Sequence, residues 1–547
     1  MIEDSGFYNV KNAKALLYHL IESGVEHFCM SPGSRSTPLV LALNCFDKAK
    51  KMVHFDERGM AFLALGIAKA SNKPVALFVT SGTAVANLFP AVMEAHATRT
   101  PLIIITADRP QEKLSLGSNQ TVDQAKIFST YVHKAFDLSF SDPFITEKHL
   151  SGIASYAAYS KGPVHINCQF REPLFSSKKV PDPILKATHY EKSSSIPTEG
   201  ALKKWGQLLS SKTKGVIVLG ANALNEEAIF MLGEKLKWPI LIDVLSQSRQ
   251  KHSASISYYN LLLEGMEKPE CILHLGDVLV SKHLQEYLKA PHYLLVADHS
   301  LRHDPLHAVT HRLECAPSLF CEGVLPYIEP QNTPHFFSLF KEREMFLRET
   351  LENYFNALQE ITEPSIFWEL QKKLKYPVFL PNSMPIRDAD TFFFPDAAIP
   401  IFANRGVSGI DGNIATAAGI AEGLKSPILA IFGDVAALHD LNSLALIKKS
   451  KYPIICLIIN NQGGGIFSFL PIAERTDLLE DFFATAHSFD FEHAARFFDL
   501  PYSNELSKCF ENPVSQIIEI KTNRKQNVSD HQEIKELCIK MPCYAEA

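Results

Sequence analysis

Short apolar runs alternate with helix-like periodic segments along most of this chain, and that alternation restricts the possible folds more than any other feature of the sequence. Two clear runs are 74–80 (PVALFVT) and 101–107 (PLIIITA). The runs end in loop-forming residues, as at 31–35 (SPGSR), 80–83 (TSGT) and 108–110 (DRP). Strands that alternate with helices form parallel sheets, which bind ligands at the carboxyl ends of their strands. We therefore predict an α/β protein with its functional loops at those ends.

The length and the breaks in this pattern indicate several domains. At roughly 150 residues per domain, a chain of 547 residues is too long for one hydrophobic core. The pattern lapses into a Ser-, Pro- and Lys-rich connector around 175–200, and a polar, helix-rich stretch occupies 328–365. We predict three parallel-sheet α/β domains, over residues 1–185, 196–345 and 355–547.

Charge, hydropathy and cysteine spacing exclude several classes of protein. The 54 Lys and Arg against 60 Asp and Glu give a net charge of −6, so no global basic field attracts nucleic acid. No stretch approaches the roughly 18 uninterrupted apolar residues of a membrane span, and the first residues lack a signal-like apolar core. The ten cysteines show no metal-ligand spacing, which fits a reducing compartment. We expect a cytoplasmic protein that binds no nucleic acid and does not insert stably into membranes.

Two polar loops follow neighbouring apolar runs in the last third of the chain. Asp434 comes directly after the run that Gly433 ends, and Asn461 comes 27 positions later, after the next run. A carboxylate, an amide and a backbone carbonyl, here from Gly463, suit Mg²⁺, which also keeps phosphate oxygens in its octahedron. Each feature has an ordinary alternative, Asp434 as a helix cap and 460–463 as a turn. Together they predict a metal-bound diphosphate at a sheet edge.

The Asp434 and Asn461 loops resemble the G-D…N-N signature of thiamine-diphosphate-dependent enzymes, although Val435 stands where that signature usually has Gly. More specific motifs are SPGSRSTPL at 31–39, FDERG at 55–59, GSNQTVDQ at 117–124, NRGVSGIDG at 404–412 and NNQGGGIFSFLP at 460–471. With these motifs the chain resembles one family of such enzymes, the menaquinone-pathway 2-succinyl-5-enolpyruvyl-6-hydroxy-3-cyclohexene-1-carboxylate synthases. The resemblance covers both outer domains and is weakest in the middle. It implies pyrimidine-binding, central and diphosphate-binding domains, in that order.

The resemblance also implies an activity. It implies a transferase that uses thiamine diphosphate with Mg²⁺ or Mn²⁺, decarboxylates 2-oxoglutarate and adds the succinyl unit to isochorismate. Both substrates are dianions, which favours Arg, since a guanidinium binds carboxylates through two hydrogen bonds and keeps its charge when partly buried. It further implies a homodimer or a dimer of dimers, with sites where the first domain of one subunit meets the third domain of another.

Glu57 is the catalytic residue that the resemblance implies. In this family a glutamate at that position hydrogen-bonds the aminopyrimidine ring of the cofactor, which lets the ring remove a proton from the thiazolium C2. Glu57 follows a short apolar segment and precedes a small-residue helix. It can also be read as a first-turn acid favoured by the helix dipole, with Asp56 as the cap.

The remaining site residues are assigned from the matching motifs. Those for the substrates are Ser34, Arg35, Arg109, Asn119, Gln120, Lys282, Ser383, Arg387 and Arg405, with an apolar wall of Ile466, Phe467 and Leu470. Those for the cofactor are Glu57, Ser81, Gly82, Thr83, Ser408, Gly409, Ile410, Gly433, Asp434, Val435, Asn461, Gly463 and Ile466, with Ile410 under the thiazolium ring. The metal ligands are Asp434, Asn461 and Gly463. His283 stands where the family usually has Arg.

Two alternatives stay open on the sequence. One is a different 2-oxo-acid decarboxylase or an acetohydroxyacid-type synthase on the same scaffold, and the other is a catalytically silent homologue. The four arginines at 35, 109, 387 and 405 disfavour the first, since they suit substrates with two carboxylates. The presence of Glu57, Asp434 and Asn461 together disfavours the second.

Overall fold

Three sheets, each of six parallel strands, form the framework of the protein. The structure is a computed structural model that describes residues 4–191, 193–223, 227–332 and 334–539. The predicted α/β class with three parallel-sheet domains is confirmed. None of the helices in the described part of the chain is both long and apolar enough to span a membrane.

The first sheet has the strand order β2-β1-β3-β4-β6-β5. Its strands are β1 (His27–Met30), β2 (Lys50–Val53), β3 (Val75–Val79), β4 (Leu102–Asp108), β5 (Lys134–Ser139) and β6 (Val164–Gln169). The helices around it are α1 (Ser5–Glu22), α2 (Thr37–Leu43), α3 (Glu57–Ser71), α4 (Thr83–Ala86), α5 (Phe89–Ala97) and α6 (Glu147–Tyr159). Strands β3 and β4 are buried throughout, as expected for parallel strands with helices on both faces.

The second sheet has the order β12-β11-β10-β7-β8-β9. Its strands are β7 (Gly215–Leu219), β8 (Ile240–Ile242), β9 (Ser255–Ile256), β10 (Cys271–Leu275), β11 (His292–Ala297) and β12 (His311–Glu314). Its helices are α7 (Glu199–Ser210), α8 (Glu227–Leu236), α9 (Tyr259–Leu262), α10 (Lys282–Tyr287) and α11 (Pro317–Val324). The long helix α12 (His335–Ala357) runs through residues 345–355, between the second and third predicted domains. The domain limits stay predictions.

The third sheet has the order β14-β13-β15-β16-β18-β17, the same topology as the first. Its strands are β13 (Val378–Leu380), β14 (Ile401–Ala403), β15 (Ile428–Gly433), β16 (Ile454–Asn460), β17 (Tyr502–Ser503) and β18 (Gln516–Lys521). Its helices are α13 (Glu363–Lys373), α14 (Met384–Phe392), α15 (Asn413–Leu424), α16 (Asp434–His439), α17 (Leu444–Lys449), α18 (Thr476–Leu478), α19 (Phe491–Phe497) and α20 (Arg524–Ile539). In both outer sheets the strand order reverses at the first strand, where open α/β sheets form binding crevices.

Helices α3 and α15 pack against each other and join the first domain to the third. Their close approach requires residues without side chains at two facing positions. A Cβ atom on Gly66 would lie 2.2 Å from the carbonyl oxygen of Thr416, and one on Gly419 would lie 2.2 Å from that of Leu63. Both distances are far below van der Waals contact, so a side chain at either position forces the two backbones apart.

We expect Gly66→Ala to lower the free energy of unfolding by about 1–3 kcal/mol, because overpacking a well-packed core costs about that much. Denaturant unfolding of the purified variant measures the change. Gly152→Ala is the matched control, since this helical glycine in α6 has no atom within 4 Å of an added Cβ. Alanine should be neutral or slightly stabilising there. Equal stability of the two variants would contradict the packing argument.

Candidate active site

The carboxyl ends of β15 and β16 bring Asp434 next to the 461–463 turn. The two strands pair along their length, with Gly433 opposite Ile459. Oδ2 of Asp434 accepts a hydrogen bond from the backbone N–H of Gly463 at 2.9 Å, and Oδ1 accepts one from the N–H of Val435 at 2.6 Å. The expected proximity of the two loops is therefore present at this sheet edge.

Gly463 occupies a backbone conformation that suits glycine. Its φ angle is 145°, and an added Cβ would lie 2.6 Å from the carbonyl oxygen of Ala484. A side chain there would be strained and would collide with the neighbouring backbone. Glycine at this position keeps the turn tight enough for its N–H to reach Asp434.

Asn461 presents one buried oxygen that has no partner. Its Nδ2 donates to Oε1 of Glu363 at 2.9 Å, while no hydrogen bond to its Oδ1 is found among the described residues. A buried polar atom without a partner is costly and unusual. An unpartnered amide oxygen, in the same turn that donates to the Asp434 carboxylate, fits a hard divalent cation such as Mg²⁺, so these residues suit the metal that the sequence predicts.

Glu363 is a site residue that the sequence did not reveal. It begins α13, is 2% exposed, and accepts a second hydrogen bond from Oγ1 of Thr522 at 3.0 Å. Burial, together with the nearby charge of Asp388, raises the pKa of Glu363 to about 7. In the sequence it looks like an ordinary first-turn acid, because only the fold brings it to Asn461.

Asp434 lies in an environment that disfavours its charge when no cation is bound. Burial raises the pKa of Asp434, and the N–H groups of Gly463 and Val435 offset only part of that effect. His487, also not predicted, places its Nε2 3.5 Å from Oδ2 of Asp434. A bound cation would favour the ionised carboxylate, since opposite charges lower the pKa of an acid.

In the first domain, Arg35 and Arg109 converge on Glu172. Arg35 is 7% exposed and donates to Oε1 of Glu172 at 2.8 Å, and Nη1 of Arg109 lies 3.9 Å from the same oxygen. Nε of Arg109 also donates to the carbonyl of Asn119 at 2.6 Å. Three of the predicted residues are thus brought together, around a glutamate that was not predicted.

The turn after β3 lies next to Gln120. Nε2 of Gln120 is 3.5 Å from the carbonyl oxygen of Ser81, and an added Cβ on Gly82 would lie 3.5 Å from the Gln120 side chain. Thr83 begins α4. Ser34 lies in the short helical turn Ser34–Ser36 after β1. The two loops are adjacent, since an added Cβ on Gly33, which precedes that turn, would collide with Thr80.

In the third domain, Arg387 and Arg405 form a pair of cations. Nη1 of Arg387 donates to the carbonyl of Ser383, and Nη1 of Arg405 donates to Oδ1 of Asn382 at 2.8 Å. Burial lowers the pKa of both guanidinium groups, and the charge of Arg405 lowers that of Arg387 further. No ion pair with a carboxylate is formed by either one within the described ranges. The charges of Asp388 near Arg387, and of Asp243 and Glu94 near Arg405, offset this lowering only in part. Two neighbouring cations that form no ion pair suit an anionic ligand.

Ile410 lies in a loop that Asn382 also holds. Nδ2 of Asn382 donates to the carbonyl of Gly409 at 2.7 Å, and Ser408 has a positive φ of 58°. The loop is therefore fixed beside the two arginines.

The apolar residues follow the metal turn directly. Ile466 and Phe467 lie in the short helical turn Gly465–Phe469, and the ring of Phe467 packs against Phe483 with centroids 5.7 Å apart. Leu470 follows and is 43% exposed.

Lys282 belongs to the second domain and begins α10. Its side chain forms no hydrogen bond or ion pair in the part of the chain that the structure describes, and nothing there joins it directly to the arginines. The link is indirect. Asn260 contacts Nδ1 of His283 through its carbonyl at 3.0 Å and donates to Asp390 at 2.7 Å, on the helix that carries Arg387.

Glu57 lies apart from the metal turn within one chain. Asp56 caps α3, as the alternative interpretation expects, by accepting from the N–H groups of Arg58 and Gly59. Arg58 donates to the carbonyl of His439 at 2.7 Å, at the end of α16 opposite to Asp434. No hydrogen bond or ion pair of the Glu57 side chain occurs among the described residues, so the two halves of the predicted site are not joined within one chain.

Comparison with known proteins identifies clear relatives. A family model of the N-terminal domain of thiamine pyrophosphate enzymes matches residues 10–127, and one described as the middle domain of thiamine pyrophosphate matches residues 178–374. A protein of Rubrobacter xylanophilus is 37% identical over 95% of this chain and 97% of its own length. One of Chlorobaculum parvum is 36% identical over 95% and 96%. Both are named 2-succinyl-5-enolpyruvyl-6-hydroxy-3-cyclohexene-1-carboxylate synthase.

A solved structure shares the fold. The benzoylformate decarboxylase of Polynucleobacter necessarius superposes with a TM-score of 0.73 at 13% identity, covering 94% of this chain and 99% of its own. At that identity the likeness is one of architecture. The likeness to the two synthases, in contrast, extends through the sequence of nearly the whole chain.

Proposed function

Because the chain belongs to the family of thiamine-diphosphate-dependent 2-succinyl-5-enolpyruvyl-6-hydroxy-3-cyclohexene-1-carboxylate synthases of menaquinone biosynthesis, we propose that it decarboxylates 2-oxoglutarate and adds the succinyl unit to isochorismate. The predicted family and the predicted cofactor, thiamine diphosphate, are confirmed by the relatives. The observation that carries the substrate proposal is the pair Arg387 and Arg405, two neighbouring cations without a carboxylate partner among the described residues. Substrates with two carboxylates supply the negatively charged partners that these two guanidinium groups lack.

The metal is Mg²⁺ or Mn²⁺ in this proposal. Asp434 and Asn461 hold it through side-chain oxygens and Gly463 holds it through its carbonyl. Support comes from the partnerless Oδ1 of Asn461 and from the buried Asp434 carboxylate, whose charge needs a cation nearby. Held there by these residues, a metal would supply the positive charge that binds the diphosphate at the carboxyl ends of β15 and β16.

Each remaining group of residues has a proposed task. When bound, thiamine diphosphate supplies the electron sink that allows a 2-oxo acid to lose CO₂. Glu57 holds a proton at the aminopyrimidine ring, and the loops at 81–83 and 408–410 hold the rest of the cofactor.

The substrate is bound from the first domain by Ser34, Arg35, Arg109, Asn119 and Gln120. Ser383 joins the arginine pair, and Lys282 stands at the rim. The apolar wall at 466–470 excludes water from the reacting atoms.

The active unit in this proposal is a homodimer, or a dimer of dimers, in which Glu57 of one chain faces Asp434 of the other. Two observations support it. Within one chain Arg58 fixes the start of α3 at the far end of α16, roughly 8 Å along the helix from Asp434. Val53 and Phe55, next to Glu57, are 54% and 56% exposed, which is typical of a contact surface. We also place the enzyme in the cytoplasm, which fits its cysteine spacing.

Product analysis by mass tests the function. Purified protein should convert 2-oxoglutarate and isochorismate into the family product and CO₂ only when thiamine diphosphate and Mg²⁺ or Mn²⁺ are present. Turnover of pyruvate or a branched 2-oxo acid instead would favour the alternative synthase. Absence of product while the cofactor is demonstrably bound would contradict the proposal.

We expect Arg405→Ala to lower kcat/KM by about 10- to 100-fold, because a hydrogen bond to a charged group contributes about 1.5–3 kcal/mol. Steady-state kinetics with each substrate varied in turn measures the loss. Arg405→Lys should have a kcat/KM between those of this variant and the unmodified protein, since lysine keeps the positive charge but cannot form the bidentate hydrogen bonds of a guanidinium group.

Arg496→Ala is the control for a surface arginine. This side chain is 73% exposed and pairs with Glu492 along one helix. Its removal should leave kcat/KM unchanged. If Arg405→Ala behaves like Arg496→Ala, the arginine pair is not the receptor for the substrate carboxylates.

A further inference from the structure

The amide of Asn461 is held in one orientation by residues outside the predicted site. Glu363 Oε1 receives two hydrogen bonds, from Nδ2 of Asn461 at 2.9 Å and from Oγ1 of Thr522 at 3.0 Å. The backbone of Asn461 is held as well, because Nε of Arg524 donates to its carbonyl at 3.2 Å. Asn461 is therefore held at its backbone and at its side-chain nitrogen, and its Oδ1 remains without a partner among the described residues.

The position of Glu363 is itself rigid. Helix α13 begins with a capping box, in which Thr362 and Ser365 exchange hydrogen bonds between side chain and backbone. This arrangement fixes the first turn and with it the direction of the Glu363 side chain. The carboxyl group is 2% exposed, so no water competes for Oε1 in the way it would at a surface.

Rotation of the Asn461 amide by half a turn would be strongly unfavourable. It would place Oδ1 against Oε1 of Glu363, so that with the ionised carboxylate two acceptors face each other where a donor and an acceptor now meet. It would also put the NH₂ group, which cannot bind a cation, where the partnerless Oδ1 now lies. The contact with Glu363 thus decides that the oxygen of the Asn461 amide, and not its nitrogen, is left without a partner.

We propose that Glu363 is a positioning residue, which presents Oδ1 of Asn461 to the divalent cation by holding the amide through Nδ2. The inference rests on the proposed function, since it requires a metal at Asp434 and Asn461. Removal of a group that hydrogen-bonds and orients a metal ligand typically lowers the affinity for the metal about 10- to 100-fold. The affinity for the metal, rather than the chemistry at saturating metal, is therefore the quantity that should depend on Glu363.

Metal titration of the full-length protein tests this role. Mn²⁺ binding is followed by electron paramagnetic resonance with thiamine diphosphate present and without substrates. Glu363→Leu should weaken Mn²⁺ binding about 10- to 100-fold. Glu363→Gln, which keeps an acceptor oxygen at the same place, should stay within about threefold of the unmodified protein. At saturating Mg²⁺, Glu363→Leu should regain most of kcat.

Gln371→Leu provides the matched control, because it removes a buried acceptor from the same helix at a distance from the metal turn. Gln371 is 9% exposed and accepts from Oη of Tyr258 at 3.2 Å and from the N–H of Phe394 at 3.1 Å. Its loss should lower stability without changing Mn²⁺ affinity. If Glu363→Leu does not fold, Glu363→Asp tests the same contact, since its shorter side chain keeps the charge but withdraws the oxygen.

Each result decides a different point. Mn²⁺ affinity in Glu363→Leu, or in Glu363→Asp, that matches Gln371→Leu would overturn the positioning role while leaving the proposed function intact. Equal deficits in Glu363→Gln and Glu363→Leu would also overturn it, because the charge and not the acceptor would then matter. If the unmodified protein binds no Mn²⁺ together with thiamine diphosphate, the metal site of the proposed function fails as well.

Discussion

Glu57→Gln should lower kcat by about 10²- to 10⁴-fold, the range that a positioned proton-transfer group contributes. The protein should keep its melting temperature and still bind thiamine diphosphate and Mn²⁺. The structure gives the reason for this separation. Asp56, and not Glu57, accepts the capping hydrogen bonds of α3, and the Glu57 side chain forms none among the described residues. The amide substitution therefore breaks no internal contact.

The measurement combines turnover with binding. Product formation gives kcat, and calorimetric titration gives the affinity for thiamine diphosphate. Glu199→Gln is the control, since Glu199 is also a first-turn acid, at the start of α7, and is exposed with Lys203 as its partner. It should remain fully active. Turnover near that of the unmodified protein in Glu57→Gln would remove the assigned catalytic role.

The sequence predicted the parts of the structure that depend on local pattern. The runs 74–80 and 101–107 contain β3 and β4, because short continuous apolar runs between helices are typical of strands in a parallel sheet that is covered on both faces. The proximity of Asp434 and Asn461 also followed, since both come after neighbouring strands whose carboxyl ends share one edge. In these cases residues near in sequence determine the outcome.

The sequence did not reveal contacts between distant segments. Glu363 precedes Asn461 by 98 residues, and its role depends on how α13 packs at the end of β16. Glu172, which receives Arg35, and His487, which faces Asp434, were missed for the same reason. An acid or a histidine at such a position has no distinctive neighbours in sequence, so only the tertiary fold shows what it contacts.

The two ordinary alternatives had different outcomes, since Asp56 caps α3 as that alternative expects, whereas α16 begins at Asp434 itself and has no side-chain cap. Asp434 binds the N–H groups of Val435 and Gly463, as a turn-stabilising acid would. The same bonds hold the carboxylate at the turn that contains Asn461, whose Oδ1 has no partner among the described residues. Asp56 caps α3 and thereby fixes the start of the helix that carries Glu57. Helix caps and turns are thus part of what places the proposed site.

A mixed dimer of two inactive variants should recover activity. When Glu57→Gln and Asp434→Ala chains pair, one interface site combines both changes and the other combines the two unmodified residues. Heterodimers isolated through two different affinity tags should therefore show about half of the unmodified activity, as expected for one intact site of two in a symmetric dimer. Each variant alone should show almost none.

A second heterodimer distinguishes a site formed across the interface from a site formed within one chain. A heterodimer of an unmodified chain with a chain that carries both changes contains the same substitutions in total. If Glu57 and Asp434 act across the interface, both of its sites are broken and it should be nearly inactive. If they act within one chain, it keeps one intact site and about half of the activity, whereas the first heterodimer stays inactive. The anchoring of Arg58 to His439, at the opposite end of α16 from Asp434, favours the arrangement across the interface.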